Sequence, residues 1–190
     1  MEKNELTNAD RSTLLTLARE SITRAVGGKP QPEIQLGTFS TNLQKVGASF
    51  VTLTKNGTLR GCIGALEAYQ PLVEDVREHA VAAALEDYRF PPVKSAEVPE
   101  IRIEISRLTN PNVLEYSDSA DLLQKLCPRV DGVILHDGAR RATFLPQVWE
   151  QVPDPEEFLS HLCLKMGAGG DLWRQKKLGV QVYQVEEFQE

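Results

Sequence analysis

The chain is short of cysteine, of basic charge and of long apolar runs, and each shortage excludes something. Its three cysteines, Cys62, Cys127 and Cys163, are odd in number and far apart, with no CxxC spacing. A disulfide framework is therefore not expected, and a reducing compartment suits them better. No apolar stretch approaches the roughly 20 residues that cross a bilayer, and Met1-Glu2-Lys3-Asn4-Glu5 lacks the apolar core of a signal peptide. A cytoplasmic protein is the expectation. Lys and Arg total 21 against 27 Asp and Glu, for a net charge of −6 and a pI near 5.2. That balance argues against nucleic acid or an anionic membrane surface as partner, because counterion release needs a basic face. What remains is ordinary for a folded globular chain: 190 residues, 41% hydrophobic and 25% charged. At that size about 70% of the unfolded surface can be buried without metal or disulfide support.

The first clear element is a helix over about 8–26, capped by Thr7 or Asn8 and ended by Gly27-Gly28. Leu14, Leu17, Ala18, Ile22 and Ala25 recur on one face. From Ser49 the period changes to two. Phe50 to Thr54, the turn pair Asn56-Gly57 and Leu59 to Ile63 predict a β-hairpin. A regular two-residue loop would pair Lys55 with Thr58, Leu53 with Arg60 and Val51 with Cys62. Alternation then puts Arg60 and Cys62 on the face of Val51 and Leu53, with Phe50, Leu59 and Ile63 opposite, unless a bulge at Gly61 shifts the register. Both faces are apolar enough to be covered. A helix from Pro71 to about Glu86 follows, with Leu72, Val73, Val76, Ala80, Ala83 and Ala84 as its buried stripe. Ile101 to Ser106 alternates strictly and reads as a strand with one wet face.

The second half repeats this order. Gly132 to Leu135, the turn pair Asp137-Gly138 and Arg140 to Leu145 form a hairpin. A helix follows, with Asp154 as cap, Pro155 at its first position and Gly167 at its end. A last strand covers Val180 to Val185. The expected fold class is α+β, an antiparallel or mixed sheet with flanking helices. Hairpin–helix–strand units over about 49–108 and 130–188 suggest an internal duplication inside a single domain. Superposing the two turn pairs sets Arg60 against Arg141 and Cys62 against Thr143.

The segment SFVTLTKNGTLRGCIGAL, Ser49 to Leu66, resembles the central motif of the AMMECR domain family of the AmmeMemoRadiSam system. AALEDYRFPP (Ala83 to Pro92) is similar to the family's Asp-x-Arg-Phe-x-Pro segment, with Asp87, Arg89 and Phe90 in place. GVILHDGARRATFLPQV (Gly132 to Val148) resembles its second hairpin, and His161 to Gly167 its Leu-x-Lys-x-Gly helix end. Tyr88 stands where the family commonly has Pro, and Ala142 where it commonly has Gly. The resemblance implies one α+β unit with two unequal lobes. It also implies association with a Memo-type protein and a radical SAM protein, and it supplies no reaction.

Cys62 is the sharpest candidate for chemistry. A thiol needs a nearby cation to become a nucleophile at neutral pH. On the regular hairpin Arg60 lies two residues away on the same face, able to stabilise a thiolate or an oxyanion. Gly61 and Gly64 leave the backbone open to a small-molecule ligand. The opposing reading makes Cys62 a small core residue opposite Val51, with the glycines serving turns or close helix packing. Asp87 and Arg89 read as an ion pair at a helix exit, or as a carboxylate and guanidinium at the rim of a cleft beside Cys62. Arg141, with Arg140, can hold a phosphate or carboxylate, or simply face solvent. Of the three histidines, His79 lies one turn after Asp75 and is expected to pair with it. His136 beside its turn is expected to be solvated. His161, two residues from Cys163, cannot face it on a helix. No customary ligand spacing points to a metal, and no cofactor is indicated. Two functions follow: an enzyme or group-transfer component working through Cys62, or a non-catalytic partner module with a rigid hairpin.

Overall fold

A computed structural model describes residues 5–190; residues 1–4, which entered the reading of the N-terminus, lie outside the described residues. The chain divides into two compact units, the first running to Thr109 and taking back Glu186–Glu190, the second Asn110–Val185. Among the described residues no helix is long and apolar enough to cross a membrane.

The first unit opens with α1 (Asn8–Val26). Thr7 is its cap. The Thr7 hydroxyl accepts the Asp10 N–H while the Asp10 carboxylate accepts the Thr7 N–H, so two orphan donors of the first turn are satisfied together. Gly28 exits at φ +68°. The short α2 (Thr41–Gln44) leads into β1 (Val46–Lys55), β2 (Thr58–Gly64), the two-residue β3 (Gln70–Pro71), α3 (Leu72–Leu85) and β4 (Ile101–Leu108). Pro71 sits outside the helix as its cap because its backbone is extended and pairs with Val46. Leu14, Ala18 and Ile22 of α1 close over Val76, Ala80, Ala83 and Ala84 of α3, which lies on Val51, Leu53, Ile103 and Ile105 of the sheet. Three polar side chains meet inside this core. The Ser49 hydroxyl donates to Asp75 Oδ2 at 2.6 Å, and His79 Nδ1 lies 3.1 Å from the same oxygen.

The second unit holds β5 (Asn112–Val113), α4 (Ser119–Lys125), β6 (Gly132–Asp137), β7 (Arg140–Phe144), α5 (Pro155–Lys165), α6 (Leu172–Gln175) and β8 (Gly179–Tyr183). Asp154 caps α5, accepting the N–H groups of Glu156 and Glu157, and Gly167 ends it at φ +77°. Trp149 and Phe158 stack at 3.6 Å in its core, with the Trp149 indole N–H on the Asp131 carbonyl. The final strand splits at Gln184. β8 stays in the second sheet, and β9 (Val185–Gln189) joins the first, whose order is β2-β1-β4-β9 with β3 on β1.

The α+β class stands, and the two units share one topology. In each, the strand after the helix pairs with the first hairpin strand on the side away from the second: β2-β1-β4 beside β7-β6-β8. The residue correspondence differs from the sequence expectation in two places. The second hairpin turns on Gly138-Ala139, since Asp137 pairs with Arg140 and only Gly138 has positive φ. The first hairpin carries a bulge, with Thr54 opposite Leu59 and Leu53 opposite Gly61, so Arg60 is the extra residue. Arg141 therefore corresponds to Leu59, and Arg60 has no counterpart. The two shifts cancel beyond the bulge. Thr143 opposes Ile134 as Cys62 opposes Thr52, three residues before the end of the first strand in each hairpin.

Candidate functional site

The bulge decides what surrounds Cys62. With Val51 opposite Ile63 and Thr52 opposite Cys62, Ile63 shares the core face with Val51, and Cys62 takes the other face with Thr52. The expected grouping of Cys62 with Val51 and Leu53 is overturned, because one inserted residue flips every side chain beyond it. Cys62 is half-buried, not sealed. The Thr52 hydroxyl and Cys62 Sγ are 3.3 Å apart, as suits a close non-hydrogen-bonded antiparallel pair.

In such a pair the backbone groups point away from the neighbouring strand, and β2 is the outermost strand of its sheet. The N–H and C=O of Cys62 are met there by the segment that follows α3. The Cys62 N–H donates to Asp87 Oδ2 at 2.8 Å, and its carbonyl accepts from Arg89 Nη2 at 3.1 Å. Arg89 also grips Asp87, Nε to Oδ1 at 2.8 Å and Nη2 to Oδ2 at 2.6 Å. Carboxylate and guanidinium thus close a clamp around one residue of the edge strand. Asp87 is 4% exposed. Hydrogen bonds from Arg89 hold its carboxyl far below the usual carboxylate range and overcome desolvation, and the Cys62 N–H adds to them. Arg89 is correspondingly pushed up by Asp87.

Arg60 does not serve the thiol. Its guanidinium makes two bonds of 3.2 Å, Nε and Nη2 to the two carboxylate oxygens of Glu97. Glu97 also accepts the Lys94 N–H at 3.0 Å and has Lys55 Nζ at 3.5 Å. The Arg60 hydrogen bonds, helped by the Lys94 N–H, bring the Glu97 carboxyl down to about 2. A carboxyl depressed on folding stabilises the fold above its unfolded pKa of roughly 4.3, and that stabilisation fades as pH falls toward the folded value. The expected result is a steep loss of denaturant midpoint between those limits, shallower in Glu97→Gln. Equal slopes in the two proteins would show that Glu97 contributes nothing to acid sensitivity.

The glycines have steric duties. A Cβ on Gly61 would lie 2.1 Å from the Ala83 carbonyl oxygen, and one on Gly64 2.4 Å from the Phe50 ring and the Ser49 carbonyl. Gly61 lets α3 approach β2; Gly64 lets β2 cross Phe50. The structure therefore gathers Cys62, Gly61, Gly64, Asp87, Arg89 and Arg60 in the first unit and gives most of them a packing or pairing partner. Arg141 lies in the second unit, exposed on β7 opposite His136. His79 is spent on Asp75, as expected from its spacing. His136, expected to be solvated, is half-buried with Nε2 on Gln181 Oε1 at 2.7 Å. Among the described residues no group of three or more His, Cys, Asp or Glu is placed to hold a metal ion. Glu97 and the Ser49–Asp75 pair were not singled out by the sequence. Asp75 and Ser49 carried a signal, each being polar inside an otherwise apolar stripe; Glu97 carried none.

The AMMECR1 family profile matches residues 15–188, across both units. A protein of Methanothermobacter thermautotrophicus is 37% identical over 191 aligned residues, covering 100% of this chain and 99% of its own. One from Methanopyrus kandleri is 37% identical over 98% of this chain and 91% of its own. The crystal structure of an uncharacterised protein from Pyrococcus horikoshii, PH0010, is similar with a TM-score of 0.72 and 32% identity, over 95% of this chain and 91% of that one.

Proposed function

The chain belongs to the AMMECR1 family, and from that premise we propose that it is a recognition module, presenting the corner beside Cys62 to a protein partner. The single observation that carries this reading is Tyr88, 94% exposed between the two halves of the clamp. A large aromatic ring on a backbone already fixed on both sides loses little entropy when covered, which is how interface anchors work. The charges beside it point the same way. Arg60 is engaged by Glu97 and Arg89 by Asp87, so each of these guanidinium groups already has a carboxylate partner rather than being reserved for the sulfur. The family resemblance supports a Memo-type protein and a radical SAM protein as the partners, and three free cysteines suit a reducing cytoplasm.

One observation favours a second reading. Cys62 is half-open and bonded to a hydroxyl, so a thiol carrier for a small electrophile fits the same face. Titration calorimetry against a purified Memo-type protein separates the two. Tyr88→Ala is expected to weaken binding by about thirtyfold, the ~2 kcal/mol of an anchoring aromatic, and Cys62→Ser to leave it unchanged. Binding unaffected by Tyr88→Ala, together with adduct formation lost in Cys62→Ser, would replace recognition by chemistry.

A further inference from the structure

The outer side of α3 carries a groove that the clamp does not use. Glu74, Glu78, Val81, Ala82 and Glu86 form one wall and Gln31 the other, around a cavity of about 350 Å³. Both walls are fixed. Gln31 Nε2 donates to the Ser21 carbonyl at 2.9 Å, and Arg77, which also lines the groove, donates Nη1 to the Pro32 carbonyl at 2.9 Å. Gln70 Nε2 and the Tyr69 hydroxyl donate to the two oxygens of Glu78 at 2.7 and 3.0 Å. These bonds, Gln70 first, hold the Glu78 carboxyl below its ordinary range and keep it charged. The Tyr69 ring beside it is 57% exposed.

Two features of the groove ask for a cation from outside the chain. In α1 and α4 an acid stands four residues before a base, Glu20 before Arg24 and Asp121 before Lys125, whereas α3 sets Glu74 four before Glu78. That like-charged spacing weakens a helix unless something neutralises it. On the facing wall, Gln31 Oε1 is buried and accepts no hydrogen bond among the described residues, so a donor is missing there too. We infer that the groove docks an amphipathic helix of a protein partner, with two arginines seven positions apart and an aliphatic residue between them. This rests on the recognition reading and extends its corner along α3, since the groove ends at Glu86, two residues before Tyr88. Glu78 and Glu86 are about 12 Å apart along the helix, and seven positions on a partner helix span about 10.5 Å. One guanidinium meets Glu74 and Glu78 and lies on the Tyr69 ring; the other meets Glu86. The arginine stems and the aliphatic residue cover Val81 and Ala82, both half-buried.

The test titrates the isotope-labelled full chain with two helical peptides of one composition and one net charge. The first has its two arginines seven positions apart on one face; the second has them five apart, on opposite faces. Amide NMR shifts are expected to gather at Gln31, Gln70 and 74–86, and the first peptide to bind about fivefold more tightly, the worth of two exposed ion pairs. That excess is expected to vanish in Glu74→Gln/Glu78→Gln/Glu86→Gln. It is expected to persist in Glu20→Gln/Glu150→Gln/Glu157→Gln, which removes as much charge from exposed positions elsewhere. Equal affinities for the two peptides, or an excess that survives the groove variant, overturns the proposal. Calorimetry of the groove variant and of Tyr88→Ala against the Memo-type protein then tells the two readings apart. Weakening in both supports the groove. Weakening in Tyr88→Ala alone overturns the groove and leaves the corner standing, and weakening in neither overturns both.

Discussion

Gly61→Ala is expected to cost about 3 kcal/mol or more, the upper end of what overpacking does, and to lower the denaturant midpoint more than any other single methyl addition in the chain. The reason is the atom it meets. The new Cβ would lie 2.1 Å from the carbonyl oxygen of Ala83 and 3.1 Å from its carbonyl carbon. Those are backbone atoms of α3, which have no rotamer to change. Relief requires moving the helix or the strand. Backing α3 away strips Ala80, Ala83 and Ala84 from Val51 and Leu53, all within 2% of full burial. It also draws Asp87, two residues past the helix, off the Cys62 N–H. Bending β2 instead breaks its pairing with β1 next to an existing bulge. Gly37→Ala is the control, because nothing lies within 4 Å of its Cβ position, and it is expected to stay within about 0.5 kcal/mol. Urea melts of the three proteins measure the difference. Equal midpoints for Gly61→Ala and Gly37→Ala would mean that the helix does not rest on the strand at this point.

That glycine also marks where the sequence stopped being readable. The two hairpins, the three long helices and the Thr7 and Asp154 caps could be placed from period and turn chemistry, because a two-residue alternation, an Asn-Gly turn and a Thr or Asp cap act within a few residues of one another. The short α2, α4 and α6 and the two-residue β3 and β5 carried too few residues to show a period. Gly61 raised the possibility of a bulge, but nothing local decided for it. A hairpin with Arg60 opposite Leu53 and one with Arg60 inserted bury the same apolar residues on β1; the second also turns Ile63 into the core and seats α3 on Gly61. The face of Cys62 turned on that one residue. The second turn failed for a similar reason: Asp137-Gly138 and Gly138-Ala139 both place a glycine at positive φ, and the pairing of His136 with Arg141 decides between them. The sequence did announce Asp87 and Arg89 as a pair. It did not announce that they close on a backbone, since an edge-strand peptide 25 residues away carries no local mark. Nor did Val180 to Val185 show that the chain changes sheets at Gln184. The repeat itself extends to this edge. Thr143, the counterpart of Cys62, has its carbonyl capped by Lys165 Nζ at 2.9 Å, as Cys62 has by Arg89. Both cations come from the end of the helix or just beyond it, so a cation guarding the outer strand belongs to the shared plan, and the carboxylate is added in the first unit alone.

Asp87→Ala removes that added carboxylate, and about 3 kcal/mol of stability is expected to go with it. Three losses converge. The Cys62 N–H is left without its acceptor, the Arg89 backbone N–H loses Oδ1, and the guanidinium loses both of its short bonds. A buried donor stranded in this way costs roughly 1–3 kcal/mol, and more when a charge was its partner. Partial exposure limits the total, because Arg89 can turn to water while the Cys62 N–H, behind it, cannot do so as readily. Asp87→Asn separates the parts. Its amide oxygen can still accept the Cys62 N–H but offers no charge to Arg89, so it is expected to retain more than half of the lost stability. Arg89→Ala removes the guanidinium and keeps the acceptor, and is expected to fall between wild type and Asp87→Ala. Hydrogen exchange at Cys62 gives the local readout: protection lost in Asp87→Ala, kept in Asp87→Asn and in Arg89→Ala. If Asp87→Asn proved as damaging as Asp87→Ala, the ion pair rather than the edge-strand peptide would be what the clamp is for.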